Sequence, residues 1–148
     1  MKREAVQNED VGFYIKKLDN HIQRNIHSLY NRKEVEDCSL ANMRVADYLY
    51  HQGSRDVFQK DIEAEFFINR ATASKMLSLM EEKGLICRET LLEDARLKRI
   101  RLLPKGEKLH RLYKGIRMEM EEKLTGGLSQ EEIVQFKMLC QKMLQGME

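Results

Sequence analysis

Residues 69–84 read Asn69-Arg70-Ala71-Thr72-Ala73-Ser74-Lys75-Met76-Leu77-Ser78-Leu79-Met80-Glu81-Glu82-Lys83-Gly84, and the hydrophobic period changes immediately after them. Within this stretch Ala73, Met76, Leu77 and Met80 recur at steps of one helical face. Asn69 is suited to cap such a helix and Gly84 to close it. From there the period drops to about two. Leu85-Ile86-Cys87-Arg88-Glu89 and Lys98-Arg99-Ile100-Arg101-Leu102 read as two short strands. The loop Leu92-Glu93-Asp94-Ala95-Arg96-Leu97 between them is too polar to be core. Upstream, Phe58, Ile62 and Phe66 recur every four residues and predict a short helix near 58–66, with Phe67-Ile68 as a tight turn. Short helix, turn, second helix and charged hairpin make a winged helix-turn-helix.

Working outward, Ser39 is placed to cap a helix running to about Gln52, with Leu40, Met43, Ala46, Leu49 and Tyr50 inward and Gly53 ending it. Before it, Val11, Ile15, Leu18, Ile22, Ile26 and Leu29 form one stripe on a long helix over about 9–34, with Asp10 as its cap. After the hairpin, Pro104 opens another long helix carrying Leu109, Leu112, Ile116, Met120 and Leu124. Ser129-Gln130-Glu131-Glu132 is a capping box stapled by Leu128 and Ile133, and Ile133, Phe136, Cys140, Met143 and Met147 continue that helix. The expected fold is mainly α with a two-stranded wing, a single domain over 1–148. Its winged lobe spans 39–103, and the helices at 9–34 and 104–148 form a dimerisation region. In a monomer the stripes of the first and last helices would be exposed apolar patches, which soluble monomers rarely tolerate.

Composition narrows the classes. The 148 residues are 42% hydrophobic and 34% charged, too apolar for a disordered chain and too polar for a membrane protein. The first residues lack the apolar run of a secretory signal, so a cytoplasmic protein is expected. Three widely spaced cysteines, Cys38, Cys87 and Cys140, argue against a disulfide framework or a zinc ribbon. Net charge is only +2, but residues 95–117 hold nine cations against Glu107 alone, which suits a polyanionic partner.

The pattern suits duplex DNA. The second helix of such a motif enters the major groove by its N-terminal end, where side chains reach base edges and free N–H groups face phosphate. That end carries two cations, Arg70 and Lys75, and the acids Glu81 and Glu82 wait until its far end. A basic hairpin tip can reach the neighbouring minor groove.

From about Leu40 to Gly106 the sequence resembles the multiple-antibiotic-resistance-type (MarR-type) regulators. The most specific part is Asp94-Ala95-Arg96-Leu97-Lys98, which looks like the family's wing signature of Asp, any residue, Arg. Met80-Glu81-Glu82-Lys83-Gly84-Leu85-Ile86 looks like the exit from the recognition helix, and Gln59-Lys60-Asp61-Ile62-Glu63 fits the first helix of the motif. The resemblance implies a homodimer reading a pseudo-palindromic double-stranded DNA site, usually as a repressor of its own or neighbouring genes. Release by a small-molecule effector is common in the family, as is a pocket that would fall near Tyr14, His21, Tyr48 and the helix after Pro104. By the same resemblance Arg96 enters the minor groove and Asp94 braces the wing. Arg70, Ala71, Thr72, Ser74, Lys75 and Lys98 complete the DNA-binding set. Two positions depart from the pattern: Phe67 stands where the turn often carries Gly or Asn, implying a strained backbone, and Leu103 stands where Thr often caps the next helix.

Other chemistries are weaker. Cys38 is a candidate redox thiol, but no cysteine lies near the start of the first long helix, where oxidant-sensing relatives carry theirs. Cys87 and Cys140 read as core residues. His21, His27, His51 and His110 include no pair at i, i+4, so no metal site is expected, and no cofactor. No phosphate-binding Gly-rich loop, Gly-x-Ser-x-Gly or His-Glu-x-x-His motif is present, which argues against an enzyme. The remaining alternative is a winged helix used as a protein–protein adaptor, since the fold alone does not imply DNA.

Overall fold

The computed structural model describes residues 9–32 and 38–148. In chain order the elements are α1 (Val11–Arg32), α2 (Leu40–His51), α3 (Gln59–Phe66), α4 (Arg70–Glu82), β1 (Ile86–Thr90), β2 (Lys98–Leu102), α5 (Pro104–Thr125) and α6 (Gln130–Met147). This is the expected mainly helical order with a two-stranded antiparallel wing. Residues 33 and 34, the expected end of the first helix, lie outside the described residues. The chain divides into two compact units, Tyr30–Ile116 and Met1–Leu29 with Arg117–Glu148, and the divisions fall within α1 and α5.

The caps set the helix starts. The Phe13 N–H donates to Asp10 Oδ1 at 2.8 Å, Asn42 N–H to Ser39 Oγ at 3.1 Å, and Thr72 N–H to Asn69 Oδ1 at 2.8 Å. Each satisfies a donor that the first helical turn leaves without a partner. At Ser129 the capping box is reciprocal: Glu132 N–H donates to Ser129 Oγ at 3.1 Å, and Ser129 N–H donates to Glu132 Oε1 at 2.9 Å.

In the unit Tyr30–Ile116, Met43, Val45, Ala46 and Leu49 of α2 are buried, as are Val57, Ile62 of α3, Ala73, Leu77 and Met80 of α4, and Leu85, Ile86 and Ile100 of the wing. Full burial of such side chains stabilises by about 1.5–3 kcal/mol each. Tyr50 departs from the expected inward set: it is half exposed, and its ring stacks on His110 instead.

The strands pair from Ile86↔Leu102 to Thr90↔Lys98. The first strand starts one residue later than its hydrophobic run suggests, because the Leu85 N–H turns back to the Met80 carbonyl at 3.0 Å to finish α4. Ile100 N–H donates to the Val57 carbonyl at 2.8 Å and Leu103 N–H to the Leu85 carbonyl at 2.9 Å, anchoring the wing at its base. Gly106 allows α5 to start against that base: a Cβ there would lie 2.3 Å from the Leu85 carbonyl oxygen.

In the other unit, Ile26, Leu29 and Met120 are buried, and Lys123 Nζ donates to Asn25 Oδ1 at 3.4 Å. No residue of α6 is buried within the chain. No helix among the described residues is long and apolar enough to cross a membrane.

Candidate nucleic-acid interface

The first two turns of α4 carry the expected set. Arg70, Ala71, Thr72, Ser74 and Lys75 are all exposed, while Ala73 and Leu77 turn inward and fix which face is presented. No acid lies in the first turn, and the helix N-terminus adds its own partial positive charge. Gln59 Nε2 donates to the Arg70 carbonyl at 3.3 Å, linking the start of α3 to the start of α4. Between these helices Phe67 takes a left-handed conformation, φ 52° and ψ 45°, with 95% of its surface exposed. The strain expected from a non-glycine residue at this turn is therefore present in the backbone.

The wing tip is organised by Asp94. Its Oδ1 accepts from the Arg96 N–H at 3.0 Å, its carbonyl accepts from the Leu97 N–H at 3.1 Å, and Leu91 N–H donates to the Leu97 carbonyl at 3.2 Å to close the loop. The Arg96 guanidinium is 95% exposed, with Nε 4.0 Å from Asp94 Oδ1. An exposed contact of that length holds a flexible side chain weakly. Asp94 thus shapes the turn through the backbone and leaves the arginine head projecting into solvent. Lys98, the first residue of β2, is also exposed.

Not all of the basic run is available. Arg99 bridges Asp56 Oδ1 at 3.2 Å and Glu89 Oε2 at 2.9 Å, and Arg101 Nε donates to the same Glu89 oxygen at 2.9 Å. The Arg99 hydrogen bond holds the Glu89 carboxyl below its ordinary range, and Glu89 in turn raises Arg99. Lys105 Nζ donates to the Lys83 carbonyl at 2.9 Å. Arg99 thus fastens the wing to the loop before α3, Arg101 ties its two strands together, and Lys105 joins the start of α5 to the end of α4.

Sequence reasoning missed two cations near the wing. Lys60 and Arg88 join Arg96 and Lys98 in lining a recess of about 200 Å³ between the start of α3 and the hairpin. Arg88 is held there by Glu81, 3.3 Å away, whose carboxyl is lowered chiefly by that hydrogen bond. Lys60 sits outside the basic run, and Arg88 alternates with apolar strand residues, so neither stood out in the linear charge pattern.

The other candidates separate. Cys38 is buried, with its carbonyl accepting from the Tyr30 hydroxyl, and Cys87 and Cys140 are half-buried thiols. Tyr48 packs edge-on against Phe66 at 5.9 Å, and burial pushes its phenol up. The sequence expectation of no metal site rested on histidine–histidine spacing. The structure instead gathers Asp47, His51 and His110 into one cluster at the end of α2.

Residues 37–97 match the model of the MarR family. The chain is similar to Staphylococcus aureus MepR solved as a DNA complex, with 27% identity, a TM-score of 0.77, and 94% of this chain and 99% of that one covered. It is also similar to the transcription regulator MarR of Oenococcus oeni PSU-1, with 28% identity, a TM-score of 0.68, and 92% and 99% covered. A point mutant of the same S. aureus MepR gives 28% identity and a TM-score of 0.69 over 94% and 99%. With the helix-turn-helix, the Asp94–Arg96 wing and the flanking long helices all in place, the chain has the fold of these MarR-type regulators, and its winged lobe matches the MarR family over residues 37–97.

Proposed function

We propose that this chain is a sequence-specific, double-stranded DNA-binding transcription regulator, acting in the cytoplasm as a homodimer on a pseudo-palindromic operator. The observation that carries this reading is the pairing of two independent cationic elements in one lobe. One is an acid-free, solvent-facing N-terminal turn on α4; the other is an arginine freed at the wing tip by an aspartate that braces the turn. Base readout belongs to Arg70, Ala71, Thr72, Ser74 and Lys75 in the major groove, and Arg96 enters the minor groove, with Lys98 near phosphate. The similarity to MepR in its DNA complex supports the same partner class. We assign the regulator a repressing role at its own or neighbouring genes, relieved by a small-molecule effector.

The test is fluorescence anisotropy on a labelled duplex from upstream of the chain's own gene, across a salt series, with scrambled duplex as competitor. Nanomolar, competitor-resistant binding with a steep salt slope is expected. Arg96→Ala should weaken it by about 1–3 kcal/mol. In the complex the two recognition helices should lie about 34–36 Å apart. Weak binding indifferent to sequence and to Arg96 would favour the protein–protein adaptor and sink this reading.

A further inference from the structure

Asp47 and His51 stand one helical turn apart near the end of α2, so their side chains leave the same face. His110, in the second turn of α5, brings its Nδ1 within 2.9 Å of Asp47 Oδ1, and His51 Nδ1 lies 3.6 Å from the same oxygen. One ligand atom from each of the three side chains falls within 4.8 Å of the others. The DNA reading uses none of these residues.

Three features set the cluster apart from an ordinary buried carboxylate–imidazole pair. The donor set of two imidazoles and one carboxylate suits a borderline divalent transition cation. The rings are also held in place. Tyr50 stacks on His110 with centroids 3.7 Å apart, and His51 Nδ1 meets the Asp47 backbone carbonyl at 2.8 Å. A carbonyl oxygen only accepts, so that nitrogen carries the hydrogen and Nε2 keeps its lone pair. Orientation of a ligand imidazole by a backbone carbonyl is a recurrent support in metal centres. Finally, the His51 side chain is 54% exposed while Asp47 and His110 are buried, which gives a cation an entry path to a sheltered carboxylate.

We propose that Asp47, His51 and His110 bind one divalent transition cation of the zinc type, tying the end of α2 to the start of α5. On binding, the hydrogen that His110 Nδ1 shares with Asp47 moves to Nε2 of the same neutral ring. The freed Nδ1 lone pair and the Asp47 oxygen then become neighbouring ligands, and water completes the coordination on the exposed side. A cation held in the native lobe and absent from the unfolded chain stabilises the fold by mass action.

The experiment uses the full chain, free of purification tags and stripped by a chelator, titrated with Co²⁺ and then Zn²⁺. Visible d–d absorption should saturate at one equivalent per chain, disappear as Zn²⁺ displaces Co²⁺, and accompany a rise in Tm. His51→Ala changes an exposed side chain, so the metal-free Tm and circular dichroism should stay as in wild type while Zn²⁺ affinity falls by at least about tenfold. Asp47→Asn should weaken binding in the same direction, and His27→Ala, an exposed imidazole on α1, should not. Absence of cobalt absorption and of any Tm shift would overturn the proposal. So would binding that survives His51→Ala, or binding that is lost in His27→Ala. The readouts involve no DNA, so they stand apart from the outcome at the operator.

Discussion

Phe67 shows how much a single backbone angle decides in this lobe. The turn between α3 and α4 needs a left-handed residue, which costs a side-chain-bearing residue about 1–2 kcal/mol, and Phe67 supplies it at φ 52°. Its ring is 95% exposed, so truncation forfeits almost no packing. Glycine relieves the strain but brings back about 0.5–1 kcal/mol of chain entropy. Phe67→Gly should therefore raise stability by a net of about 0.5–1 kcal/mol. A higher urea midpoint at unchanged slope would show this, and a lower midpoint would mean the ring makes contacts that stabilise the fold. The strain was legible in the sequence because position and residue type conflict locally. The Asp47, His51 and His110 cluster was not. Its helical pair is aspartate with histidine rather than two histidines, and its third member arrives from 63 residues away through packing alone.

At the scale of elements, the hairpin and the last helix give separate tests. Glu89 accepts from both Arg99 and Arg101 and so joins β1 to β2, and Arg99 also reaches Asp56, so that one guanidinium carries the brace on to the loop before α3. The Arg99 hydrogen bond depresses the Glu89 pKa from its ordinary 4.5. The unfolded chain loses that partner and binds the proton more readily. The brace therefore stabilises fully above the ordinary value and is lost as pH falls through the depressed one. Urea midpoints of wild type and Glu89→Gln should differ at neutral pH and converge in acid, and parallel curves would refute the brace. In α6, Ser129→Ala removes the acceptor for the Glu132 N–H and should cost about 1 kcal/mol; an unchanged Tm would count against the cap's contribution. Both caps and strands were readable beforehand, since Ser-x-x-Glu and the change of period are local signals. The wing's ion pairs were not, because a cation that fastens the hairpin and a cation left free for phosphate look alike in sequence: Arg99 and Arg96 stand three residues apart and do different work.

At the scale of the molecule, α6 poses the strongest demand. Its stripe of Ile133, Phe136, Cys140, Met143 and Met147 was visible as one face, yet Val134, Met138, Leu139 and Leu144 are apolar too and stand 49–65% exposed. A helix apolar on more than one side has to be covered on more than one side. α1 repeats the problem, with Val11, Tyr14, Ile15 and Leu18 each 43–63% exposed. Periodicity read each helix as a single seam because it counts the strongest repeat and passes over the residues beside it. A second copy of the chain is the occupant that the proposed two-fold operator requires, and it would cover these faces with the same residues from both partners. Burying one leucine side chain contributes about 1.5–3 kcal/mol, and a two-fold interface counts each position twice. Leu139→Glu with Leu144→Glu should thus convert a dimer to a monomer by light scattering at micromolar protein. Neither side chain is buried within its own chain, so helical circular dichroism should persist. Wild-type Tm should rise with protein concentration and the variant's should not. Operator affinity should collapse toward that of a single lobe, since one winged lobe reads only half of the site. A wild-type chain that scatters as a monomer would remove the two-fold architecture and, with it, the pseudo-palindromic site.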